Sequence, residues 1–266
     1  MSPRDLVTSF CANARMYAAG PEVEALWEQL FACLSALSGV ALRYERHPAP
    51  APLGDLWGRA DLGCAFVCGY PFSTGAPPLV GLAVPLPRSA ARRGEAAYAT
   101  LLMQRIGGRA ATPAEVPVER IGWTAADSLS GGLALREYLR DVGHTAAERL
   151  FEAGVGPLIH PRAALEALQN RRVDLAPLDS YFHSLLRRHA PHRLAGLVEV
   201  DRTPARPMPL LAAAAGIEDS VRKRLTNGLL ALAREPAAAV LLDALDLDGF
   251  AAVDRAAYAP LSRLGD

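Results

Sequence analysis

Lysine is almost absent. Lys223 is the only one, and arginine supplies the rest of the 28 basic residues. With so much alanine this reads as codon bias from a GC-rich genome, and no function is drawn from it. Net charge is lacking as well, because 28 acidic residues balance the 28 basic ones. A neutral chain argues against nucleic acid as the main partner, since phosphate backbones select basic faces. It also argues against attachment to anionic membrane surfaces. Cysteine is limited to Cys11, Cys33, Cys64 and Cys68. Cys64 and Cys68 stand four apart in an apolar run, and no Cys/His cluster has zinc-ligand spacing. All four read as buried small hydrophobes, and no metal or cofactor is expected. No apolar run approaches the ~20 residues that a transmembrane helix needs, so membrane insertion is not expected either.

The first residues, Met1 to Tyr17, hold Arg4 and Asp5 and then only a strand-length apolar run. A secretory leader needs a longer apolar core and a cleavage site. As written, the chain is expected to be cytoplasmic, or periplasmic if a leader has been removed.

What is present suits a globular α/β fold. The 266 residues are 51% apolar and 21% charged, enough for one large domain or two lobes of about 100–150 residues. Residues 6–12 read as a short buried strand. Pro21 opens a helix, Glu22 and Glu24 sit in its first turn where the dipole favours acid, and Gly39 ends it. A strand is expected over 42–47, a helical turn over 52–59, and a central parallel strand over the continuous apolar run 62–68. This β-α-β-α-β order signals a doubly wound unit.

Further strands are expected at 78–86, 99–106, 119–124, 150–158, 173–178, 197–200 and 210–215. Helices are expected at 128–142, 161–170, 181–189, 217–234 and 237–245. Pro204, Pro207 and Pro209 make the intervening segment extended.

One stretch carries chemistry. After the 119–124 segment come Asp127-Ser128-Leu129-Ser130-Gly131-Gly132, and a helix starts at once. Ser128 or Ser130 is suited to cap that helix, and the glycines let a ligand approach the backbone. Free N–H groups and the positive dipole end then favour an anion: phosphate, phosphonate, sulfonate or carboxylate. The plain alternative is N-capping alone. The loop lacks the Gly-Lys-Ser/Thr of a Walker A motif.

These residues, together with Met16-Tyr17, Pro21-Glu22 and the Trp27 helix, Cys68-Gly69-Tyr70-Pro71, the run from Ala164 to Asp179, and Thr203-Pro204 with Met208-Pro209-Leu210, resemble the substrate-binding components of phosphate/phosphonate ABC transporters. That resemblance implies a type II periplasmic-binding-protein fold: α/β, two Rossmann-like lobes joined by two crossing segments, with the ligand in the cleft. Lobe one takes 1–87 and 204–266, and lobe two takes 88–203. Tyr17 and Tyr70 would line the lobe-one wall. Ser128, Ser130 and the Gly131 amide would hold the anion, and Asp179 would accept hydrogen bonds from a ligand amine or hydroxyl. Leu129 stands where the family often has another hydroxyl. His160 precedes Pro161 at the position where the family often has a cleft histidine. The implied partners are a small anionic ligand and an ABC permease.

Each residue also has a structural reading. Asp179 fits the N-cap of the helix that starts at Tyr181, His160 fits a helix start, and Trp123 fits the core. No GxSxG elbow, HExxH helix or paired-carboxylate context is present, so no catalytic set is assigned. A solute-binding module, a cytosolic biosynthetic enzyme on the same fold and a cytosolic effector-binding sensor all remain open, because function lives in the site and not in the fold.

Overall fold

Short apolar runs from both ends of the chain pair into one sheet. In the computed structural model, which describes residues 9–90, 92–108 and 112–265, the strands in chain order are β1 (Phe10–Asn13), β2 (Leu42–Tyr44), β3 (Leu62–Val67), β4 (Leu79–Pro87), β5 (Ala97–Tyr98), β6 (Thr100–Arg105), β7 (Ala176–Asp179), β8 (Leu197–Arg202), β9 (Arg206–Pro207), β10 (Leu210–Ala214) and β11 (Leu247–Ala251). The chain divides into two compact units. The first comprises Met1–Val67, Gly75–Leu86 and Pro209–Val253, and the second comprises Cys68–Thr74, Pro87–Met208 and Asp254–Asp266.

The first unit holds the six-stranded sheet, in the order β11-β4-β10-β3-β1-β2. β2, β1 and β3 run parallel, whereas β10 is antiparallel to both β3 and β4. All six residues of β3 are buried, as its unbroken apolar run requires of a central strand. The helix Pro21–Ser38 forms where expected: proline at its first turn supplies no amide that needs a partner, and Gly39 closes it with φ 63. Its inner face packs Trp27 edge-on against Phe66, ring centroids 5.0 Å apart, and Tyr17 meets the same ring at 4.8 Å. Burying each such side chain contributes roughly 1.5–3 kcal/mol relative to leaving it in water.

The second unit is built on β7-β6-β8, all antiparallel, with a small β5–β9 pair beside it in sequence. Residues 119–124 were expected to be a strand. They form a 3-10 turn over Val118–Arg120 and then only single parallel bridges, Ile121 to Leu175 and Gly122 to Val155. Pro117 explains the shortfall: it fixes a turn-compatible φ and lacks an amide. Residues 150–158 were also expected to be a strand, but they start as the helical turn Leu150–Ala153 and become extended only at Val155. Cluster packing overrode the apolar pattern here, since Leu150 is buried beside Ile121, Trp123 and Leu139. Residues 6–8 of the first expected strand lie outside the described residues.

The C-terminal end carries structure that the sequence reading did not anticipate: β11 and the turns Arg255–Tyr258 and Ala259–Gly265. Residues 254–266, expected with the N-terminal strands, cluster with the second unit. Tyr258 stacks edge-on to Phe72 at 5.3 Å and donates to the Met208 carbonyl at 2.7 Å. Among the described residues no single helix is long and apolar enough to cross a membrane.

Candidate functional site

The Ser128–Gly132 turn is the polar centre of the second unit. Ser128 caps a helix whose first turn is π-wound (Leu129–Leu133) before it becomes α-helical over Ala134–Asp141. The Ser128 Oγ accepts from the Gly131 amide at 3.1 Å. The Leu129 amide donates to Cys68 Sγ at 3.2 Å, and Gly131 O accepts from the Thr124 amide at 2.9 Å. A helix start leaves four amides without intrahelical partners. Two are therefore used internally, while those of Ser130 and Gly132 have no partner among the described residues. Gly131 was expected to offer its amide to a ligand; that amide is instead directed at Ser128. Ser128 keeps its own O–H to donate, because accepting at oxygen leaves the hydroxyl proton free.

Glycine at 131 and 132 answers a packing demand. A Cβ on Gly131 would stand 1.7 Å from Thr124 Oγ1, and one on Gly132 would stand 2.4 Å from the Ala125 carbonyl. Thr124, buried in the wall of the turn, is a hydroxyl that the sequence reading passed over.

Strands β6 and β7 bring the other polar groups to this turn. Thr100, the first residue of β6, donates from its hydroxyl to Ser130 O at 3.3 Å and lies opposite Asp179 across the ladder. Tyr98, just upstream, is buried with its hydroxyl beside Ser130 yet completes no hydrogen bond of good geometry. Burial pushes the Tyr98 phenol well above its ordinary pKa, with Cys68 and Asp179 nearby adding to the shift. It therefore stays protonated and presents a hydroxyl. Burial likewise pushes the Cys68 thiol up to about 11 despite the hydrogen bond from Leu129. Cys68 is thus a neutral acceptor for an amide and no nucleophile.

Asp179 and His160 approach from the two helix starts that flank this region. Asp179 Oδ1 accepts from the amides of Tyr181 and Phe182 at 2.8 and 3.0 Å, capping the helix Ser180–His189. His160 caps Pro161–Gln169, with Nδ1 accepting from the Arg162 amide at 3.1 Å. An accepting Nδ1 puts the ring proton of neutral imidazole on Nε2. The His160 ring meets Phe182 edge-on at 5.6 Å. The backbone before it runs along the turn, since the Ile159 amide donates to Thr124 O at 2.8 Å.

A buried hydroxyl-rich turn with two amides that find no partner among the described residues has the chemistry to accept negative charge by hydrogen bonding. Among the described residues no group of His, Cys, Asp and Glu is arranged to hold a metal. A family model described as "ABC transporter, phosphonate, periplasmic substrate-binding protein" matches residues 18–258. The chain belongs to this family. It is a solute-binding protein, and the family is one of transporter components and not of enzymes.

Solved structures agree in fold. A binding-protein component of an ABC phosphonate transporter from Pseudomonas aeruginosa superposes with a TM-score of 0.80 at 16% identity, over 96% of this chain and 85% of that one. PhnD1 from Prochlorococcus marinus, solved in complex with methylphosphonate, gives 0.75 at 14% identity, over 97% of both chains. A Xanthomonas citri protein solved bound to ATP gives 0.66 at 18%, again over 97% of both. Other neighbours include an arginine-binding protein and a glutamate-bound receptor core, and the α/β fold is the type II periplasmic-binding fold. No curated protein sequence matches the chain.

The two tyrosines expected in this family's ligand wall have different settings. Tyr70 is half-buried in the second unit, where a Cβ on Gly265 would meet its Oη at 2.1 Å. Tyr17 is buried in the first unit against Phe66. Five of the seven sequence-predicted site residues, Ser128, Ser130, Gly131, His160 and Asp179, come together around the turn. Tyr98, Thr100 and Thr124 were missed because their link to it is made only by the fold.

Proposed function

We propose that this protein captures a small oxyanion of the phosphonate class for delivery to an ABC permease, and that the Ser128–Gly132 turn is where the second unit takes the oxygens. The observation that carries this reading is the pair of unpartnered amides, Ser130 and Gly132, beside the Ser128 and Ser130 hydroxyls. A helix start with free N–H groups and a positive dipole end favours anions. Tyr98 Oη and Ser130 Oγ add neutral donors, and His160, at the start of the helix Pro161–Gln169, is retained as a ligand-binding residue. Such donors suit a ligand that must be bound firmly and then released, because no opposite charge has to be separated at this point. Asp179, whose Oδ1 caps the helix Ser180–His189, is retained in this reading as the acceptor for a ligand amine or hydroxyl. Tyr70 and Tyr17 are retained as ligand-wall residues in the same reading. The periplasm, the compartment in the family's description, is where such capture operates.

Isothermal titration and thermal shift with methylphosphonate, phosphate, methanesulfonate, acetate and ATP test the reading. At least one oxyanion should stabilise the protein, by about 2.7 kcal/mol at 100 times its Kd. Ser130→Glu places a like charge at the free amides and should abolish that shift in a protein that still folds. A panel without any stabilising anion, or an Ser130→Glu variant that binds like the wild type, sinks the proposal.

A further inference from the structure

The first unit contains a buried cation that no carboxylate among the described residues neutralises. Arg15 opens the 3-10 turn Arg15–Tyr17 directly after β1 and is 7% exposed. Its backbone amide donates to Asn13 Oδ1 at 2.8 Å, and Asn13 Nδ2 donates to the Glu45 carbonyl at 2.6 Å. These contacts lock the turn at the carboxyl ends of the parallel strands β1 and β2. The guanidinium gives one hydrogen bond, from Nη1 to the Ala51 carbonyl. A guanidinium carries five N–H donors, and the others make no hydrogen bond among the described residues.

No carboxylate lies within ion-pair distance of Arg15 among those residues. Glu45, whose carbonyl accepts from Asn13, turns its carboxylate to Arg43 and Arg59, and Glu24 is engaged by Arg46. Loss of hydration is the cause that pulls the Arg15 pKa down, and no neighbouring charge offsets it. A buried, unpaired charge is destabilising, and a carbonyl clamp on Ala51 needs no charge at all. Ligands in open α/β sheets bind outside the carboxyl ends of the parallel strands, which is where Arg15 stands.

We propose that Arg15 is an anion-contacting residue of the first unit, whose planar fork selects a doubly charged oxyanion of the phosphonate or phosphate-monoester type over a singly charged isostere. This rests on the oxyanion reading above and adds the charge state of the ligand. Arginine suits the task because its fork matches phosphate-like oxygens in bidentate fashion.

The test pairs methylphosphonate with methanesulfonate, which has a similar shape but only one ionisable proton, by isothermal titration at pH 8. Wild-type protein should prefer methylphosphonate. Arg15→Gln keeps an N–H for Ala51 and removes the charge. It should lower methylphosphonate affinity at least tenfold and methanesulfonate affinity no more than threefold, with circular dichroism confirming the fold. Arg15→Met replaces it if glutamine prevents folding, and Arg15→Lys should retain the preference with weaker binding. A neutral variant that keeps wild-type methylphosphonate affinity, or that loses both ligands equally, overturns the inference. It does so without touching the oxyanion reading if Ser130→Glu still abolishes binding. Wild-type protein that binds neither ligand overturns the Arg15 inference, and it overturns the oxyanion reading as well when no other anion of the panel binds.

Discussion

Thr124 Oγ1 occupies the space that a side chain on Gly131 would need, with a Cβ there falling 1.7 Å from it. The hydroxyl and the glycine are seven residues apart in sequence and are held together by the Thr124 N–H to Gly131 O bond. Gly131→Ala should therefore destabilise the second unit by about 1–3 kcal/mol, as overpacking does, and should weaken oxyanion binding. Adding Thr124→Ala should recover part of the stability, since contacting sites are not additive. Urea midpoints for the two single variants and the double variant measure this coupling, and strict additivity would contradict the packing account.

Asp174 ties Arg105 and Arg120 together. Arg105 reaches it at 2.5 Å, and Arg120 Nε and Nη2 reach its two oxygens at 2.8 and 3.0 Å. The Arg120 hydrogen bond chiefly, aided by Arg105, holds its carboxyl down at about 2 against an ordinary 3.8. A depressed folded pKa stabilises the protein above the unfolded value, and that contribution fades as pH falls from about 4 to about 2. Because the carboxylate is 33% exposed, the contribution is on the order of 1 kcal/mol. Asp174→Asn should lower the denaturation midpoint at pH 7 and flatten the acid limb between pH 4 and pH 2. An unchanged acid limb would remove the ion-pair explanation.

Asp179 separates capping from recognition. Asp179→Ala removes the acceptor for two helix amides and should cost about 1 kcal/mol. Asp179→Asn retains the cap and should leave the melting temperature close to wild type. If the proposed ligand contact is made, Asp179→Asn still weakens an aminoalkyl phosphonate relative to methylphosphonate. Equal loss for both ligands, or none, would leave Asp179 as a cap alone.

Tyr98 should behave oppositely to most core residues. Its buried hydroxyl has no partner of good geometry, so Tyr98→Phe removes a desolvated polar atom. The ligand-free protein should melt at the same temperature or higher, and methylphosphonate affinity should fall by roughly one hydrogen bond's worth, about 1 kcal/mol. A lower melting temperature with unchanged affinity would assign the hydroxyl a purely structural role.

Native thiols give a further check. Burial raises Cys11 and Cys68 to about 11 and Cys64 higher still, leaving Cys33 partly exposed. Iodoacetamide at pH 8 should alkylate Cys33 first, with the other three reacting only on unfolding, as read by mass spectrometry. Rapid modification of Cys68 would show that the Leu129 turn opens.

Local signals in the chain were legible where one interaction dominates. Pro21, Glu22 and Gly39 bracket their helix as capping chemistry requires, and the apolar run at 62–67 became the central strand β3. The capping turn at Ser128 was readable because serine followed by glycines before an apolar periodic stretch has few other uses. The same local reading failed at 119–124 and 150–158, where Pro117 and the packing of Leu150 outweighed an apolar pattern that suits either a strand or a buried turn. Cys68 to Leu129, Tyr98 to Ser130 and Thr124 to Gly131 left no trace in spacing, since hydrogen bonding and van der Waals exclusion act over ångströms and not over sequence separation.

By itself, then, the order of residues determined where backbone amides would be left unpaired and which segments had to be buried, because both follow from side-chain chemistry within a few positions. Only the tertiary structure decided which of those amides stay open, which hydroxyls gather around them and that Arg15 is buried without a counter-charge among the described residues. Those outcomes depend on which distant segments exclude water from one another, and desolvation is a property of the packed chain.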